Sequence, residues 1–267
     1  MRKLNIGLFN DSFPPTIDGV AQTVKNYATV LQQNHCNVTV VTPEYKGVED
    51  RYPFEVFRYQ SVPLDRRIGY RAGNPFNPDT LLKLRAKRFD LMHVHAPFAS
   101  SVLVSNINHR PKVPVVLTYH TKFDIDISKR IALHGFRKIA MRFLLENINA
   151  ADEIWVVTEG CAQSLRDIGY KGSYMVMENG TDFRYGRATP EKVEELREKY
   201  QIRQDEFIFL LVGRMMWNKN VRLIPDTLKI LRGRGVPFRA LMVGDGYDAP
   251  AIREYASQQG LAECVTF

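Results

Sequence analysis

The chain carries three cysteines, Cys36, Cys161 and Cys264, and no CxxC pair. An odd, widely spaced set argues against a disulfide framework or a structural zinc site and reads as reduced thiols. No apolar run approaches the about 20 residues that a membrane-spanning helix needs. Arg2 and Lys3 open the N-terminus, but Asn5, Asn10 and Asp11 interrupt the apolar residues after them, so a secretory signal is not expected. Internal repeats and low-complexity segments are missing too. So are RNP, zinc-finger and helix-turn-helix patterns, and nucleic acid is therefore not an expected partner. The expected setting is cytoplasmic.

What is present is an ordinary globular composition. The 267 residues are 45% hydrophobic and 25% charged, enough for one large or two modest domains. The net charge of +8 is uneven. Residues 1–150 hold 21 Lys/Arg against 12 Asp/Glu, a net +9, while residues 151–267 hold 16 against 17, a net −1. The basic excess of the N-terminal half suits an anionic membrane surface or an acidic acceptor.

Apolar runs alternate with helical periodicity. Strands are predicted at 4–9, 38–42, 54–59, 91–95, 115–119, 153–157 and 174–177. Between the first two, Val20, Val24, Tyr27, Ala28 and Leu31 share one helix face. This alternation argues for an α/β fold with a parallel sheet covered by helices. Asn179-Gly180 is a turn signal. It closes a first domain at 1–180. A linker is expected at 181–204 and a second α/β domain from 205. That second domain is expected to be incomplete in residues 205–267, because Cys264-Val265-Thr266-Phe267 reads as the start of a third strand.

The strongest motif lies in this second domain. Phe207–Val212 is a continuous apolar run, followed by Gly213-Arg214 and then Lys219-Asn220-Val221. A helix pattern opens there, with Val221, Ile224, Leu228 and Leu231. A strand, a glycine turn and a helix start form the crevice where α/β proteins hold anions, and Arg214 and Lys219 are placed to line it. A second such turn is Gly244-Asp245-Gly246, after Ala240–Val243. It also satisfies GxGxxG/A, but the acidic residue needed about 20 positions on is replaced by Thr266 and Phe267, which excludes a dinucleotide site.

In the first domain, the loop after the first strand reads NDSFPPTIDGV, with Gly19 at the helix start. A glycine there lets backbone N–H groups approach a phosphate. His93 and His95 share one strand face. Two such ligands do not make a metal site. His120 stands at the carboxyl edge of the 115–119 strand, where α/β sites form. Residues 129–144 form a basic amphipathic helix. Phe136, Ile139, Ala140, Phe143 and Leu144 are expected to face the core, with Arg130, Arg137, Lys138 and Arg142 on the outer, membrane-surface side.

In their order along the chain, DSFPP…DGV, DLMHVH, LTYHT, ENGTD, VGRMMWNKNV and VGDG resemble the retaining GT-B glycosyltransferases of family 4. The resemblance implies two Rossmann-like doubly wound domains, and sugar transfer from a nucleotide donor, UDP-glucose first, without a metal or other cofactor. It implies Arg214 and Lys219 on the donor diphosphate, His120 beside the transferred sugar, and donor contacts at Gly19, Asn179, Gly180, Gly213, Gly244, Asp245 and Gly246. Asp18 stands where the family has the first of two loop glycines, and Trp217 where it has Pro or an acidic residue. The family's acidic ExxxxxxxE segment would follow residue 267, so residues 1–267 alone are expected to be inactive. TIDGV, LTYHTKFDID and the basic helix resemble bacterial enzymes that glucosylate diacylglycerol. This puts a lipid acceptor, and peripheral attachment at the inner face of the membrane, first. A soluble or polysaccharide acceptor, a non-hydrolysing epimerase of the same fold, and a nucleotide-sugar-binding module without activity are the alternatives.

Overall fold

A computed structural model describes residues 2–65, 69–108, 112–120, 134–183 and 185–267. The chain divides into two compact units, Met1–Phe183 and Arg184–Phe267.

The first unit runs β1 (Asn5–Phe9), α1 (Gly19–Gln33), β2 (Asn37–Pro43), β3 (Glu55–Tyr59), β4 (Ser61–Asp65), β5 (Tyr70–Gly73), α2 (Pro78–Ala86), β6 (Leu91–Val94), α3 (Ala99–Ile107), β7 (Val115–Tyr119), α4 (His134–Asn149), β8 (Glu153–Val156), α5 (Glu159–Asp167) and β9 (Met175–Val176). Seven strands form a parallel sheet in the order β3-β2-β1-β6-β7-β8-β9. Its apolar runs are continuous because both faces are buried. Ile6, Leu8, Val38 and Val40 pack with Val24 and Ala28 of α1 on one face. Phe9, Val41, Met92, Val94 and Leu117 pack with Leu103, Leu144, Ile148 and Leu165 on the other. Alternate residues of β1 thus serve opposite layers. The antiparallel β4-β5 hairpin is not legible in the sequence. Pro63 and a register shift between Pro63 and Asp65 break the alternation that would have marked it.

The second unit runs α6 (Pro190–Lys199), β10 (Phe207–Val212), α7 (Leu223–Gly233), β11 (Phe238–Val243), α8 (Ala249–Gln258) and β12 (Val265–Thr266), with parallel strand order β10-β11-β12. Phe238, Ala240 and Met242 are buried against Leu228 and Ile252. β10 is open along most of its length: Phe207 is 64% exposed, Leu210 63% and Val212 69%. α7 begins at Leu223, not at Val221. Asn220 adopts the left-handed conformation at φ 56, and Val221 turns into the core ahead of the helix.

Candidate functional site

In the first unit the strand order reverses between β1 and β6. Loops leaving neighbouring strands there diverge to opposite faces and open a crevice at their carboxyl ends. The loop after β1 meets this crevice. Asp11 Oδ1 accepts hydrogen bonds from the Ser100 amide at 2.9 Å and hydroxyl at 2.7 Å, tying the loop to the start of α3. Burial pushes the Asp11 carboxyl up to about 6, against the opposing pull of Ser100. Asp18 caps α1, accepting from the Ala21 amide at 2.7 Å. Its second oxygen accepts from the Tyr70 hydroxyl at 2.8 Å. The β4-β5 hairpin therefore straps the glycine loop. Thr16 donates to Tyr45 at 2.7 Å, Tyr45 to the Gly69 carbonyl at 3.0 Å, and Arg58 joins the Pro14 carbonyl to Asp50. A side chain at Gly19 would meet nothing within 4 Å, so the fold itself does not require glycine there.

Three buried histidines form a contiguous row, with His95 and His120 stacked and His93 tilted against His95. His93 pairs with the Thr118 hydroxyl at 2.7 Å and lies 4.0 Å, ring to ring, from His95. His95 Nδ1 meets His120 Nε2 at 2.9 Å. Tyr27 and Trp155 each meet the His93 ring edge-on. Burial drives all three pKa values down, to about 3 for His93 and about 4 for His120, and well below the ordinary range for His95. The nearby Asp18 charge partly opposes this at His120. All three rings are neutral at pH 7, so His120 serves as a neutral hydrogen-bonding group. The structure thus brings His120, Asp18 and Gly19 into one neighbourhood. Asn179 and Gly180 lie in the exposed coil after β9.

In the second unit the two turns are zipped together. The Gly213 amide donates to the Val243 carbonyl at 3.0 Å and the Met215 amide to the Asp245 carbonyl at 3.0 Å. Asp248 accepts from the Trp217 amide at 2.9 Å. This also accounts for Trp217, whose ring packs edge-on against Tyr255 and joins the core. Arg214 is half-buried and Lys219 exposed, and neither side chain has a hydrogen-bond or ion-pair partner among the described residues. Both cations lie in the segment between β10 and α7, and neither has a carboxylate partner among the described residues.

Gly244 and Gly246 have a packing role as well. Gly244 sits at φ +143, and a Cβ there would collide with the Gly213 carbonyl. One at Gly246 would collide with the Met215 carbonyl. Gly244→Ala is therefore expected to destabilise the second unit by about 1–3 kcal/mol, seen as an earlier thermal transition in Trp217 fluorescence. Gly19→Ala is expected to leave the first unit's transition in place. An unshifted Gly244→Ala melt would show that packing does not demand this glycine.

The basic helix departs from its expected packing. Its core seam is Leu144 and Ile148, with Ala140, Met141 and Leu145 beside them. Phe136, Ile139 and Phe143 do not face the core; they are 63%, 66% and 44% exposed. Arg137 is half-buried, whereas Lys138 and Arg142 are exposed. The cause is a second apolar stripe on the helix, which periodicity alone merged with the seam. Arg130 lies outside the described residues.

Residues 17–185 match the family described as Glycosyltransferase Family 4. The chain belongs to Glycosyltransferase Family 4. Curated relatives of this family member include two alpha-monoglucosyldiacylglycerol synthases. That of Streptococcus pneumoniae is 24% identical over 99% of this chain and 61% of its own length. That of Acholeplasma laidlawii is 24% identical over 93% of this chain and 65% of its own. The chain thus spans less than two thirds of either. Among solved structures, sucrose-phosphate synthase from Thermosynechococcus elongatus superposes with a TM-score of 0.72 at 17% identity, over 99% of this chain and 70% of that one. The Anabaena protein HepE, in complex with UDP and glucose, gives 0.72 at 16% identity, over 99% of this chain and 68% of its own. The fold is that of the GT-B glycosyltransferases.

Tyr70 and Asp248 carry no role in the motif reading, and Asp18 enters it only as a departure from the family's loop glycine. Asp18 carries an N-cap signal one residue before the helix. Tyr70 had none, because its hairpin was not apparent.

Proposed function

We propose that this family member takes part in retaining transfer of a sugar, glucose first, from a UDP-linked donor to an acceptor hydroxyl, with diacylglycerol the favoured acceptor. The observation that carries the reading is the unpartnered pair Arg214 and Lys219, set in a backbone turn at the carboxyl end of β10. Two cations without a partner among the described residues, five positions apart in the turn that leads to a helix, suit a diphosphate. As the bond from sugar to diphosphate breaks, negative charge grows on the leaving phosphate, and fixed cations stabilise that state more than the ground state. The leaving phosphate takes the acceptor's proton, so no separate base is required. In the first unit, neutral His120 positions the sugar through hydrogen bonds, and the loop at Gly19 offers open backbone to the donor.

The lipid reading draws on the net +9 of residues 1–150 and on the two lipid-glucosylating relatives. The test uses the whole protein. Calorimetry with UDP, GDP and ADP reports the donor base. Incubation with the matching nucleotide glucose, and either diacylglycerol in mixed micelles or a soluble oligosaccharide, reports the acceptor. Binding of no nucleoside diphosphate would overturn the transferase reading, and transfer to the oligosaccharide alone would move the acceptor to a soluble sugar.

A further inference from the structure

We infer that His95 is a positioning residue: it donates from Nδ1 to Nε2 of His120 and so fixes His120 as the Nδ1–H tautomer, an N–H donor for a hydroxyl oxygen of the transferred sugar. This deepens the role given to His120 above, and its sugar contact rests on that reading. The strand register brings the two rings together. β6 and β7 are parallel neighbours with Val94 opposite Leu117. Continuing that register sets His95 level with Thr118 and His120 two residues beyond, on the same face. His95 Nδ1 and His120 Nε2 then lie 2.9 Å apart, with the rings inclined by only 22°.

Burial keeps both rings neutral at pH 7. A neutral imidazole holds one N–H and one lone pair, so one nitrogen of the contact donates and the other accepts. Two arrangements are open. In the first, His120 Nε2–H donates to His95 Nδ1. His95 then carries its own proton on Nε2, and that nitrogen is buried without a hydrogen-bond partner among the described residues. In the second, His95 Nδ1–H donates, and the buried Nε2 holds only a lone pair. A buried N–H without an acceptor is the rarer orphan, so the burial of His95 selects the second arrangement. His120 then accepts at Nε2 and carries its proton on Nδ1. In a histidine, the partner of one ring nitrogen decides the state of the other. His120 is half-buried, and its Nδ1 has no partner among the described residues. The nearby Asp18 carboxylate does not take this N–H. Its oxygens are held by the Ala21 amide and the Tyr70 hydroxyl. The donor is left for a ligand, and a sugar hydroxyl accepts through its oxygen.

The first test reads the tautomer itself, by nitrogen resonance of the 267-residue chain carrying isotope-labelled histidine at pH 7. Two-bond proton–nitrogen correlations tell a protonated ring nitrogen from a bare one, and the signals lost in His95→Asn and in His120→Asn assign the two rings. The expected result is His120 protonated at Nδ1 and bare at Nε2. His120 protonated at Nε2 would overturn the inference, whether or not any variant folds. The second test is glucose transfer by the whole protein. His95→Leu removes the donor and is expected to lower kcat roughly tenfold. His95→Asp offers an acceptor instead and should turn His120 to the Nε2–H form, with at least as large a loss. His95→Asn puts an amide N–H where Nδ1–H stood, and is expected to hold the His120 tautomer and lose no more than about threefold. UDP affinity should be alike in all of them, because UDP lacks the sugar. Equal losses in His95→Asn and His95→Leu, with UDP affinity intact, would reduce His95 to packing and overturn the inference. An unaltered whole protein that binds no nucleoside diphosphate would sink the transferase reading instead, and the tautomer would still be decided by resonance.

Discussion

Arg214→Ala and Lys219→Ala, each made in the whole protein, are expected to lower kcat by one to two orders of magnitude while the melting temperature stays within about 2 °C. Each substitution removes a charge-assisted contact of about 1.5–3 kcal/mol, and every 1.36 kcal/mol on the barrier is tenfold in rate. If the contact strengthens as the diphosphate leaves, kcat falls more than KM rises. Stability should be spared. Lys219 is exposed, Arg214 is half-buried, and neither holds another part of the protein through a hydrogen bond or ion pair among the described residues. The turn keeps its shape through backbone bonds from Gly213 and Met215. Lys219→Arg, which keeps the charge, is expected to retain more activity than Lys219→Ala. Unaltered turnover in both alanine variants would remove these residues from the chemistry.

The first unit should lose several kcal/mol of stability between pH 7 and pH 5. The three stacked histidines set the sign. Their folded pKa values lie below the ordinary 6.5, at about 3 for His93, about 4 for His120, and well below the ordinary range for His95. Their contribution is present in full above pH 6.5 and is lost as pH falls toward the folded values, because the unfolded chain takes up protons that the folded chain refuses. Asp11 works the other way. Its carboxyl is raised to about 6, so its contribution is complete below about 3.8 and lost as pH rises through 6. Acidification restores that one proton's worth while removing three. The net of about two protons amounts to on the order of 4 kcal/mol between pH 6.5 and 5. Thermal melts of Trp217→Phe, which leaves Trp155 as the first unit's reporter, measure this. His93→Gln, which keeps a partner for Thr118, should flatten the acid limb. A first-unit transition that is level or rises between pH 7 and 5 would contradict the buried, neutral histidine stack.

How much was legible in advance varied with the kind of information each residue carries. β1, β2 and β7 were legible because a parallel strand buried on both faces is rich in apolar residues without a strict polar alternation. His120 was locatable at the end of such a run, since a strand's carboxyl end is a site in this class of sheet. Arg214 and Lys219 were marked by the glycine turn before them. That much is local chemistry, and local chemistry is written in order along the chain.

Other features depended on groups far apart in sequence. α4 carries two apolar stripes, and only packing against the sheet selected Leu144 and Ile148 for the core and left Phe136, Ile139 and Phe143 outside. Gly244 is required by a carbonyl 31 positions earlier, at Gly213. Trp217 lacked a reason until Asp248 and Tyr255 came to meet it. Asp18 could be read as a cap for α1, but not as the carboxylate that Tyr70 holds from a hairpin 52 residues on. Pairing of that kind has no signature in periodicity, because its free energy belongs to two segments at once and exists only after both have folded.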